Sequence, residues 1–249
     1  MTDNWHDLNH DVITCRACPR LVEWREQVAR EKRRAYRDWD YWGKPVPGFG
    51  DVLGRVLIVG LAPGAHGSNR TGRMFTGDSS GDTLFGAMHR TGFASQPTAY
   101  SREDDLTLHD AFITAIGRCA PPKNRPSAVE LNSCRPFFAR ELALMPQLEV
   151  ILALGKMAFD GSLKLLRELG HDIPRLKFGH GVHHLMETPS HLDAPPHLDV
   201  PPNIRLKHLL GSYHPSRQNT QTGRLTLEMI DAVFEKARGL LSGCRVTSP

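Results

Sequence analysis

Arg55–Gly60 reads RVLIVG and runs directly into Gly60–Gly81, GLAPGAHGSNRTGRMFTGDSSG. The first stretch is short, rich in Val, Leu and Ile, and bounded by glycine, the pattern of a strand buried on both faces. The second holds six glycines in twenty-two residues. Backbone of that composition bends sharply and lets a ligand approach closely, so the segment reads as a binding loop. Three further apolar runs follow, Phe112–Gly117 (FITAIG), Glu149–Gly155 (EVILALG) and Leu206–Ser212 (LKHLLGS), with helical patterns between them. Alternation of this kind predicts an α/β fold, with parallel strands covered by helices on both faces. Ligands in such sheets bind at the carboxyl ends of the strands, which directs attention to the segments just after the four runs.

Outward from this centre, Pro19 to Asp38 is a charged helical stretch on which Lys32, Arg33 and Arg34 read most simply as a solvated helix face, with contact to phosphate as the alternative. Gly181–Glu187 (GVHHLME) reads as an extra edge strand. The proline-rich run from Glu187 to Asn203 reads as a surface loop. With no internal repeat, the simplest organisation over residues 1–249 is one domain: a Cys-bearing helical segment over about 1–50 packs on the rest, and a flexible tail starts at about 240.

A formal charge of +4 is compatible with a polyanionic partner without demanding one. The opening MTDNWHDLNH is polar and acidic rather than a signal peptide. No apolar run approaches the roughly 20 residues that span a bilayer. A cytoplasmic location without membrane contact is therefore expected, and in that reducing compartment the cysteines read as metal ligands or nucleophiles.

Chemistry gathers after the strands. Gly67–Met74 approximates a phosphate-binding loop, but Arg73 replaces the required Lys and Met74 the Ser or Thr that would hold magnesium, which argues against ATP chemistry. The second run leads into RCAPPKNRPS with Cys119 and Asn124, and the fourth into SYHPSRQNTQTGRLT with His214. An acid (Asp78), an amide (Asn124) and an imidazole (His214) thus reach one rim. Each has a plainer alternative: Asp78 as the cap of a helix starting near Ser79, Asn124 as a turn residue beside Pro126, His214 as a packing residue before Pro215. Cys15 and Cys18 form a Cys-x-x-Cys pair, and Cys119 and Cys134 lie far downstream. Four such thiolates suit zinc or an iron-sulfur cluster, and spacing alone leans slightly to zinc. His180, His183 and His184 read as structural, since a strand sends His183 and His184 to opposite faces.

The glycine-rich loop, the CAPPKN segment, the SYHPSRQNTQTGRLT segment and the four cysteines, in this order, resemble the family 5, or type B, uracil-DNA glycosylases. The resemblance spans about residues 15 to 230. It implies a three-layer α/β/α sandwich with a central four-stranded parallel sheet. It also implies a structural 4Fe-4S cluster on Cys15, Cys18, Cys119 and Cys134, in place of zinc. The implied activity is removal of uracil and other deaminated bases, such as hypoxanthine, from double-stranded DNA, by a protein expected to act as a monomer. Other uracil glycosylase families set an acid or amide beside the Gly and Pro of the first motif. Leu61 and Ala62 stand there in this chain, as in the type B pattern, which leaves handling of the attacking water to Asp78.

The expected division of labour follows. Phe75 stacks on the flipped base, backbone amides over Gly60, Leu61, Ala62, Pro63 and Gly64, with His66 nearby, bind its edge, and Asp78 and Asn124 position water and support the cationic sugar. His214 donates to the base carbonyl, while Ser216, Arg217, Gln218 and Asn219 contact DNA. The main rival is an iron-sulfur or zinc-binding redox module without glycosylase activity.

Overall fold

The computed structural model of the chain describes residues 3–186 and 205–242. Two helices open it, α1 (Trp5–Thr14) and α2 (Pro19–Glu31). A two-residue strand β1 (Phe49–Gly50) precedes β2 (Val56–Gly60), the short α3 (Ser68–Thr71) and α4 (Ser79–Arg90). Next come β3 (Ala111–Ala115), α5 (Ala128–Ala143), β4 (Val150–Leu154) and α6 (Lys156–Glu168). The last elements are β5 (His183–Leu185), β6 (His208–Ser212), α7 (Arg217–Gln221) and α8 (Leu227–Ser242).

All four apolar runs are strands, and they form the parallel centre of the sheet in the order β3-β2-β4-β6. Two antiparallel strands flank this centre, the edge strand expected within Gly181–Glu187 and one that was not expected. β1 pairs antiparallel with β3 at one edge and β5 antiparallel with β6 at the other, making six. Every residue of β2, β3 and β4 is buried, as continuous apolar runs require. Period-two alternation splits the core into two layers. Val56 and Ile58 join Leu84 and Phe85 of α4 and Val233 and Phe234 of α8. Leu57 and Val59 join Phe138 of α5 and Phe159 and Leu163 of α6. That is the three-layer α/β/α sandwich. His183 and His184 do diverge, His183 to His208 at 3.1 Å and His184 to the Phe159 ring at 5.9 Å.

The amino-terminal helix stretch is shorter than expected. α2 ends at Glu31 because Lys32 takes φ +55°, and the Lys32 ammonium then donates to the carbonyls of Arg37 and Trp39. Arg33 and Arg34 therefore lie past the helix, at a single 3₁₀ turn, rather than on its face. At the other end α8 reaches Ser242, so residues 240–242 are helical rather than tail. The surface loop expected over Glu187–Asn203, and Cys244, lie outside the described residues. Among the described residues no helix is long and apolar enough to cross a membrane. Below the sheet's amino end, Arg55 forms a bidentate pair with Asp110, and Lys207 pairs with Glu149.

Candidate active site

A cavity of about 260 Å³ opens at the carboxyl ends of β2, β3 and β6. Asp78, Asn124 and His214 all line it, together with Leu61, Ala62, Gly64, Phe75 and Ser216. Of the other base-binding candidates, Gly60 underlies the Phe75 ring, where a Cβ would come within 2.9 Å. Pro63 is buried and does not reach the cavity wall. His66 is also off the wall, its Nδ1 lying 3.1 Å from the Tyr41 hydroxyl. Ser68, Met74, Ser80, Ala115 and Pro121 complete the lining and were not anticipated, because they lack polar reach or sit beside the residues that have it.

Phe75 holds its place in a conformation that side chains disfavour, φ +54°. Two neighbours enforce it. Arg73, the residue that spoils the phosphate-loop pattern, is a buried clamp: Nε donates to Thr76 Oγ1 at 2.9 Å, and Nη1 and Nη2 donate to both oxygens of Asp104 at 2.7 and 2.8 Å. Gly81 lies so close to the Phe75 carbonyl that a Cβ there would sit 1.7 Å from its oxygen. The Phe75 ring stacks on that of His214 at 5.8 Å between centroids.

Asp78 takes the expected capping role with one of its two carboxylate oxygens. One carboxylate oxygen, Oδ1, caps α4 by accepting from the amides of Ser80 and Gly81 at 3.0 and 3.2 Å. The other, Oδ2, rests in a glycine cradle: a Cβ on Gly67 would lie 2.1 Å from it and one on Gly64 3.0 Å. Burial pushes the Asp78 carboxyl above its ordinary pKa, an effect the two amides and the Arg70 charge partly oppose. Asn124 is held differently. Lys123 and Asn124 both adopt φ +54° in a short turn closed by backbone bonds to Pro121 and Pro122. Asn tolerates that conformation better than most residues. Its side chain is exposed and bonds to none of the described residues, so the amide is available to the cavity.

His214 follows β6, with its Cβ 3.3 Å from where a Cβ on Gly155 (φ +96°) would fall. The imidazole meets no hydrogen-bond partner among the described residues, and burial lowers its pKa to about 4. At neutral pH it is uncharged and carries one N–H to give. Asn219 donates to the His214 carbonyl at 2.9 Å, and Ser216 Oγ caps α7 by accepting from the Asn219 amide at 3.4 Å. Arg217 and Gln218 project outward from α7 without side-chain partners among the described residues.

The four cysteines come from α1's cap (Cys15), α2's cap (Cys18), the segment after β3 (Cys119) and α5 (Cys134). Burial pushes the Cys119 thiol up to about 12, and Arg25 Nη1 donates to its sulfur at 2.9 Å. By chemistry alone, four thiols with an arginine donating to one of them are the donor type a soft metal takes. Among the described residues no group of three His, Cys, Asp or Glu is spaced to hold a metal ion.

The carboxyl ends of the parallel strands thus border a small cavity lined by a carboxylate, an amide, an imidazole and an aromatic ring, the arrangement of an α/β enzyme site. The profile of the uracil DNA glycosylase superfamily matches residues 47–238, and the chain belongs to that superfamily. It is 47% identical over 235 residues to a type-5 uracil-DNA glycosylase of Mycobacterium bovis, covering 94% of this chain and 81% of the relative. It is 47% identical over 229 residues to that of Thermus thermophilus, covering 92% and 94%. With that of Pyrobaculum aerophilum the identity is 40% over 235 residues, covering 94% and 92%. These relatives do not favour the redox-module alternative.

Proposed function

We propose that the chain is a DNA glycosylase that hydrolyses the N-glycosidic bond of uracil, and of other deaminated bases such as hypoxanthine, in double-stranded DNA. The observation that carries this is the convergence of Phe75, Asp78, Asn124 and His214 on one cavity. At about 260 Å³ it falls below the range of about 300–1,000 Å³ usual for drug-sized ligands and suits one extruded base. The protein acts as a cytoplasmic monomer in this reading.

The base enters against the Phe75 face. Among the described residues nothing accepts from the backbone N–H groups of Ala62 and Gly64, which leaves them for the base edge. As the bond breaks, its electrons pass to the base, and neutral His214 donates to the base oxygen where negative charge builds. The carboxylate of Asp78 lies opposite the cationic sugar and, with Asn124, holds the water that adds to it. Leu61 and Ala62 provide the dry wall that strengthens these interactions.

Cys15, Cys18, Cys119 and Cys134 hold a structural 4Fe-4S cluster in this reading. What supports the reading is the donor chemistry, four thiols from distant segments with Arg25 donating to the Cys119 sulfur. Its contribution is to pin the amino-terminal segment to the segment leading to Asn124.

The test is incubation with duplex DNA carrying one uracil or one hypoxanthine, followed by alkali to cut at abasic sites. Asp78→Ala and His214→Ala are each expected to slow single-turnover release by about 100-fold. Rates within about threefold of the parent for both would overturn the assignment.

A further inference from the structure

Residues 32–44, KRRAYRDWDYWGK, carry five cations against two carboxylates, a net +3 of the chain's +4, and four of its eight Trp and Tyr residues. The structure makes this run a strap along the outside of the loop that lines the cavity. The amides of Trp42 and Gly43 donate to the carbonyls of Arg70 and Asn69 at 2.9 and 3.0 Å. The Trp42 ring covers Gly72, where a Cβ would come within 2.9 Å, and the Tyr41 hydroxyl meets His66. Arg70, only 3% exposed, is stacked between Tyr36 and Trp39 at 4.0 and 4.1 Å. Its Nε and Nη2 donate to the carbonyls of His66 and Gly77, while its buried Nη1 finds no partner among the described residues. Beside it lies a recess of about 480 Å³ bordered by Trp39, Trp42, Lys44, Arg70 and Arg102.

The strap is thus rigid, and its charges are largely unspent. Arg33, Arg34, Arg37 and Lys44 are exposed and form no ion pair with the described residues. Glu103 is taken by Arg102 at 2.6 Å, which leaves Asp38 and Asp40 to offset four cations. Neighbouring like charges interleaved with aromatic rings and fixed in place repel one another until a polyanionic strand neutralises them. Gly64 and Ser68, on either side of His66, border the cavity, so such a strand passes next to the extruded base.

We propose that the strap grips the phosphodiester backbone of the DNA beside the extruded nucleotide, with Arg33, Arg34, Arg37 and Lys44 neutralising phosphates. This rests on the glycosylase reading above. The test is the binding of an undamaged fluorescent duplex, titrated at a series of salt concentrations. Each lost phosphate contact lowers the slope of log K against log salt by about 0.9, so Arg33→Gln/Arg34→Gln is expected to flatten it by about 1–2 and weaken binding by about tenfold. Arg33→Lys/Arg34→Lys is expected to keep the slope, and Lys164→Gln/Arg175→Gln, on α6 and just beyond it, to leave it unchanged. A wild-type slope in the strap variant, or an equal loss in the α6 variant, would overturn the proposal. Uracil release by the parent is measured in parallel, and its absence counts against the glycosylase reading alone.

Discussion

Asp78 and Asn124 line one cavity, yet Asp78 is gripped by its surroundings and Asn124 only by its own backbone. The carboxylate is half-buried, caps a twelve-residue helix and sits where two glycines leave room for it. The amide stands exposed on a turn in which two successive residues adopt a disfavoured conformation. A group that must carry charge in a dry site needs external fixation, whereas a neutral group that meets water and sugar needs only to be aimed.

The sharpest way to break this comparison is Asp78→Asn. Asn caps helices as well as Asp does, so unfolding free energy should stay within about 0.5 kcal/mol of the parent. Single-turnover release of uracil should fall by about 100- to 1,000-fold. Retained rate would show that the cap, not the charge, is what matters. Gly67→Ala comes next. Its methyl group displaces Oδ2, and a misplacement of about 1 Å is worth about 100-fold in rate while leaving Asn124 untouched.

At Asn124 the two properties separate in the opposite sense. Asn124→Gly and Asn124→Ala should lose a similar amount of rate, about tenfold, but only Ala should lower stability, by about 1 kcal/mol, because φ is +54°. Equal melting curves would show that the turn is not what holds the amide.

The mildest expectation concerns acid. His214 drops from 6.5 to about 4 on folding, so between those values the unfolded chain binds more protons and stability falls as pH is lowered. His214→Phe should flatten that part of the stability profile by about 1–2 kcal/mol, less than the full shift implies because the ring borders an opening. The parent's rate should decline in acid as Asp78, whose pKa burial raises, and His214 take up protons.

The parallel strands were legible because each is a run buried on both faces, and the rim followed from their ends. β1 was not legible: two residues, paired only with Phe112 and Ile113, leave no period to read. The end of α2 was hidden because charged residues continue past it, and the stop lies in the backbone of Lys32. For Asp78 the capping and catalytic readings looked like alternatives, although capping takes up only Oδ1 and leaves Oδ2 beside the glycines. Arg73 was judged by the pattern it broke, and its partner Asp104 lies thirty-one residues away, beyond any local signal.

Among the described residues five other than glycine carry a positive φ, and Phe75, Lys123 and Asn124 stand at or beside the cavity. Backbone in that state costs about 1–3 kcal/mol per residue. Laboratory evolution that selected only for heat resistance would therefore meet its easiest gains at the exposed Lys123 and Asn124, where glycine relaxes the chain without giving up a buried ring. A population bred that way should grow sturdier while its catalysis drifts away, unless the screen rewards turnover in the same round.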